Sequence, residues 1–135
     1  MDKDKQPGIS FDSIMLVKEE FWRDFDVPNN STPDLQIQME WGKQNNNYIV
    51  ELNSILKLQY EEIDKLKLSC TFIGVFSVIE GCENMDVVDF IKGNAAAIMF
   101  PYIREHISTV TQKAGIMPIL LPPINVIALL NKSEL

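Results

Sequence analysis

A single histidine, His106, and two cysteines, Cys70 and Cys82, leave little from which to build covalent or metal catalysis. A Ser-His-Asp or Cys-His arrangement would have to use His106, and no site with two histidine ligands can form. The cysteines lack the CxxC spacing of redox and zinc centres, so each reads as a free thiol behaving as a small hydrophobe, with no metal expected. None of the 6 glycines falls into a GxGxxG or GxxxxGK pattern, which removes the usual phosphate cradles and the cofactors they hold. Cations are scarce as well: 12 Lys and Arg stand against 19 Asp and Glu, a net charge of -7. Such a chain is repelled by nucleic acid and by anionic membranes, whose binding needs clustered Lys and Arg to neutralise phosphates. No apolar run reaches the ~20 residues of a membrane span, so direct membrane insertion is not expected. The charged, Pro-Gly-ended stretch 1–8 is unlike a secretory leader and reads as a flexible N-terminus. Together these absences point to a cytoplasmic protein that is not an enzyme.

What is present suits one globular domain over residues 1–135, with 46% hydrophobic and 23% charged residues. Leu35, Ile37, Met39 and Trp41 alternate with Gln36, Gln38 and Glu40, the period of a half-buried strand. The turn chemistry of Gln44-Asn45-Asn46-Asn47 leads to a second run, in which Val50, Leu52, Leu56, Leu58 and Tyr60 share a face. After a hairpin loop at Glu61-Glu62-Ile63-Asp64, Leu66, Leu68, Cys70 and Phe72 continue the pattern. From Ile73 onward that third strand turns apolar on both sides, with Val75 opposite Phe76, so it needs a second cover: a loop, a ligand groove or another subunit. A shorter first strand is expected over Ile9 to Val17, followed by a loop from Lys18 to Pro33 carrying Phe21, Trp22 and Phe25.

The C-terminal third reads as helix. Asn94 is expected to cap it, Met99, Tyr102, Ile103, His106, Ile107 and Val110 form one stripe, and Pro101 inside the stripe predicts a kink. Gly115 stands where a helix ends, and Pro118 prevents continuation. Residues 116–121 read as extended, and Ile124 to Asn131, beyond Pro122-Pro123, as a short apolar helix. The expected fold is α+β: a four-stranded antiparallel sheet with a long kinked helix and a short C-terminal lid helix.

The segment Phe100-Pro101-Tyr102-Ile103-Arg104-Glu105-His106-Ile107-Ser108 resembles the FPYAREcIs signature of the SecB chaperone family. Gly74-Val75-Phe76-Ser77-Val78 is similar to the family's GIFSI strand, and Met117-Pro118 through Pro123-Ile124-Asn125 to its proline-rich ending. The resemblance implies an ATP-independent holdase for unfolded polypeptides, typically preproteins bound for the Sec translocon, assembled as a dimer of dimers. It implies a client groove, which we place on Phe21, Trp22, Phe25, Leu35, Ile37, Met39, Trp41, Phe76, Ile124, Val126 and Leu130. Ile73, Val75, Tyr102 and His106 are the expected oligomer contacts, and Glu19 matches a family acid that docks the SecA motor. A second family acid falls near Ser69 here, flanked by Lys67. Two other readings stand beside the general holdase: a dedicated SecB-like chaperone for one client, such as a toxin-antitoxin pair, and an oligomeric scaffold.

Overall fold

The computed structural model describes residues 8–79, 86–117 and 119. Four antiparallel strands, β1 (Ile9–Arg23), β2 (Thr32–Gln44), β3 (Asn47–Tyr60) and β4 (Ile63–Val78), form one sheet in the order β1-β4-β3-β2. The β2–β3 and β3–β4 hairpins close through two-residue turns. Asn45 takes the left-handed conformation that Asn tolerates, at φ 58°. Glu61 and Glu62 adopt the same region, at φ 50° and 66°, where glutamate is disfavoured. This second turn is shorter than the four-residue loop expected, because Ile63 and Asp64 already pair with Tyr60 and Gln59.

The first strand departs most from its sequence reading. It continues to Arg23, so Phe21 and Trp22 lie on a strand, and only residues 24–31 connect β1 to β2. Two β-bulges explain why alternation failed there: Asp12 and Val17 are each an extra residue opposite β4, and each reverses the face of the residues after it. Phe11, Ile14, Leu16, Glu19, Phe21 and Arg23 therefore share a face at spacings of three and two, with Trp22 on the other. The Asp12 carboxylate is held by the hydroxyls of Ser77 and Ser10, which push its pKa below the ordinary carboxylate value.

A continuous helical segment covers one face of the sheet. It comprises α1 (Val87–Phe90), a π-helical turn (Ile91–Ala95) and α2 (Ala96–Lys113), with α-helical backbone at both junctions. The N-cap is Asp86, whose carboxylate accepts from the amides of Val88 and Asp89, and not Asn94, which lies inside the π turn. Pro101 sits on the exposed side of α2, where its missing amide is tolerated. Gly115, at φ 74°, ends the helix: its amide bonds Gln112 and that of Ile116 bonds Thr111, the paired bonds of a Schellman cap. The core lies between this helix and the sheet, with Met99, Phe100, Ile103 and Ile107 set against Leu52, Leu56, Leu66, Leu68, Phe72 and Phe76. Gly74 admits the helix closely, since a Cβ there would lie 2.8 Å from the Met99 sulfur. Cys82 and the expected lid helix, with Ile124, Val126 and Leu130, lie outside the described residues.

Candidate functional site

The connection from β1 to β2 must cross from one edge of the sheet to the other, a span of three strand spacings or about 14 Å. Arg23, the last residue of β1, pins its start. The guanidinium donates to the carbonyls of Asp24 and Phe25, both at 2.8 Å, and to that of Ala114 at the C-terminal end of α2. One cation thus satisfies the crossover backbone and a helix-terminal carbonyl, whose dipole favours positive charge. Farther along, Ser31 donates to the Pro28 carbonyl through its amide at 3.0 Å and its hydroxyl at 2.6 Å, fixing a tight turn. Between the crossover and the chain leaving α2 opens a cleft of about 240 Å³, its wall shared between apolar Val27, Pro28, Pro33, Leu58, Ile116 and Met117 and polar Arg23, Asn29 and Ser31. Phe25 stands beside it fully exposed.

The cleft is continuous with the helix-side margin of β2. Leu35, Met39 and Trp41 are half-buried there and pack against the core edge, and at strand rise they extend about 20 Å from the cleft. Ile37 lies in the same row but at 0% exposure, as does Phe76 beneath the helix, so both support the surface from below and neither can touch a client in this conformation. Phe21 and Trp22, expected together in one groove, are separated by the sheet: Phe21 pairs with Leu68 on the helix side, Trp22 with Lys67 on the open face. The strip therefore comprises Phe25, the cleft, Leu35, Met39 and Trp41.

The expected oligomer contacts also divide between faces. Ile73 and Val75 are on the open face beside Met15 and Ile49, while Tyr102 and His106 project from α2 toward β1. Tyr102 is exposed and meets the Phe11 ring edge-on at 6.1 Å. Glu19 belongs to the helix side as well: its carboxylate lies 2.8 Å from His106 Nε2, and both approach the buried thiol of Cys70. Burial pushes the Cys70 pKa up to about 11, the Glu19 charge adds to the rise, and the neighbouring Ser54 hydroxyl opposes it.

Sequence reasoning missed Arg23 and the exposed run Met15-Leu16-Val17 on β1. A lone basic residue after two aromatics carries no motif, and the run is concealed by the bulge at Val17. Among the described residues no helix is long and apolar enough to cross a membrane.

Comparison with known proteins agrees with this architecture. The family model for SecB, preprotein translocase subunit SecB, matches residues 9–134. An uncharacterized protein of Methanocaldococcus jannaschii is 35% identical over 104 residues, 75% of this chain and 66% of that protein. The protein-export protein SecB of Rickettsia akari is 26% identical over 130 residues, 86% of this chain and 85% of the relative. In structure, the chain is similar to a Mycobacterium tuberculosis SecB-like chaperone solved with a ChAD peptide from the HigA1 antitoxin. The TM-score is 0.74 at 16% identity, covering 84% of this chain and 88% of the other, a likeness of fold. With the family model spanning both the sheet and the helix, the chain belongs to the SecB family of chaperones.

Proposed function

We propose that the protein is an ATP-independent holdase that keeps client polypeptides, preproteins for export among them, from folding or aggregating. The observation that carries this reading is the apolar strip from Phe25 through the crossover cleft to Leu35, Met39 and Trp41. Unfolded chains present apolar side chains at irregular spacing, and a shallow strip of aromatic and aliphatic groups accepts many sequences without demanding one. The net charge of -7 keeps a protein with such a surface soluble and favours basic clients. In this reading the protein acts in the cytoplasm as a homo-oligomer, a dimer of dimers whose neighbouring copies cover Ile73, Val75 and Tyr102. Because Glu19 is engaged by His106 on the helix side, the reading assigns no SecA contact to it.

The test is light scattering of a denatured model protein diluted into buffer with the chain and no nucleotide. Aggregation should be suppressed at stoichiometric chaperone, and the double change Leu35→Ala and Trp41→Ala should reduce suppression several-fold. Undiminished aggregation with the unaltered chain would refute the proposal. A second reading is favoured by the fold shared with the chaperone solved with an antitoxin peptide: service to one dedicated client. Affinity capture from native cells separates the two, one dominant partner supporting dedicated service and many partners the general holdase.

A further inference from the structure

Glu19, Cys70 and Ser54 form one row across β1, β4 and β3, on the face that α2 covers. His106 reaches down to this row from α2. Oxygen, sulfur and nitrogen donor atoms of Glu19, Cys70 and His106 all lie within 4.8 Å of one another. We propose that these three side chains bind a divalent transition-metal ion, zinc by preference, clamping α2 to the sheet.

The donor set suits a borderline-soft cation. Thiolate, imidazole and carboxylate are the usual zinc ligands, and three protein donors leave a fourth position for water or another ligand. Mutual separations below 4.8 Å need only small side-chain movements to surround one ion, since the donors already converge from two strands and a helix. Charge also balances: one thiolate and one carboxylate neutralise a dication, and the imidazole binds neutral. Binding would release the Cys70 proton to solvent, and entry is from the side of Glu19, which is exposed.

Ser54 supplies an independent observation. Its hydroxyl oxygen is the described side-chain polar atom that is buried without a hydrogen-bond partner, and it stands directly across from Cys70. A buried hydroxyl left unpaired costs about 1–3 kcal/mol. The hydroxyl already favours the Cys70 thiolate over the thiol, and a metal-bound thiolate would give it a stronger acceptor when the site fills. Outer-shell donors of this kind both orient a ligand and tune its affinity. Phe72, edge-on to the His106 ring at 5.9 Å, walls one side of the cluster.

The experiment is titration of the chelator-treated full-length chain with cobalt(II), followed by absorption. A tetrahedral site containing thiolate should give a sulfur-to-cobalt charge-transfer band and intense visible bands, saturating at one equivalent per chain and erased by zinc. Cys82→Ser should retain the band and Cys70→Ser should lose it. His106→Gln and Ser54→Ala should each weaken cobalt binding about tenfold or more, the usual order for ligand and outer-shell losses. The His106 variant alters a half-buried side chain outside the core, so it tests the site even if Cys70→Ser fails to fold. Absence of a thiolate band in the folded, unaltered chain would overturn the proposal, as would a band that survives Cys70→Ser or is unchanged in His106→Gln.

Discussion

The two faces of the sheet are made by the same strands and differ sharply in what they ask of their residues. On the helix side, Val50, Leu52, Leu56, Leu66, Leu68 and Phe76 are closed from solvent and packed against Met99, Ile103 and Ile107. On the other side, the same strands expose or half-expose Glu51, Asn53, Ile55, Lys57, Lys67, Ser69 and Thr71. Asn53 and Thr71 share a hydrogen bond of 2.6 Å there, and Lys57 pairs with Asp64 at 3.7 Å. Exposed pairs of this kind are worth at most ~1 kcal/mol, so the stability of the fold resides on the helix side. The polar side is free to vary except around Met15, Ile49, Ile73 and Val75, where apolar groups gather without a cover among the described residues. The proposed client strip lies at the margin of the packed face, where the core reaches the surface.

The sharpest way to break this comparison is to truncate neighbours that point in opposite directions. Leu56→Ala should destabilise the protein by about 2–5 kcal/mol in denaturant unfolding, by lost transfer energy and a residual cavity. Ile55→Ala, one residue away on the open face, should cost less than ~1.5 kcal/mol, and equal losses would mean that the open face is also packed. Next in size is Arg23→Ala, which frees three carbonyls at the crossover. A loss of about 1–3 kcal/mol is expected, with weaker client binding, whereas Lys67→Ala on the open face should change neither. If both variants behave alike, the crossover clamp does not shape the strip.

At the hairpin tip joining β3 to β4, Glu61→Asn with Glu62→Gly should raise stability by about 1 kcal/mol, since both positions hold left-handed backbone. No gain in the melting temperature would show that the flanking strands do not impose that turn. A last expected effect appears only at alkaline pH, in the metal-free protein. Cys70 ionises at about 11 when folded, above its ordinary value of 9.0. The folded state then holds its proton longer, so the stability it contributes is complete below pH 9.0 and declines as pH rises toward about 11. Cys70→Ala should remove that decline, and an unchanged alkaline slope would assign it to other groups.

The legibility of the sequence divides along the same line. β2, β3 and β4 were readable because one face is packed and the other polar, which writes a period of two into Leu35 to Trp41 and Leu66 to Phe72. β1 was not, because its bulges at Asp12 and Val17 reverse the phase twice and because polar Glu19 and Arg23 occupy helix-side positions. Those two residues are held on the helix side because each has a partner, His106 and the Ala114 carbonyl, that only the folded chain brings near. The expected helix start at Asn94 differs from the observed one because Asn before Ala95-Ala96-Ala97 looks like an N-cap, while the backbone passes through Asn94 in a π turn. The FPYxRE-type segment from Phe100 to Glu105 carried the family, as its placement within α2 and the SecB match bear out. The division of groove residues between faces could not be read, since a one-residue bulge exchanges inside and outside for Phe21 and Trp22.

The central claim is that clients bind at the margin of the packed face. Its most direct test is amide hydrogen exchange of the chain with and without a saturating unfolded client. Slowed exchange in the crossover at residues 24–31, in the start of β2 and at the end of α2 near Ile116, with the middle of the open face unchanged, is the predicted result. Slowing confined to the open face, around Asn53, Ser69 and Thr71, would contradict it.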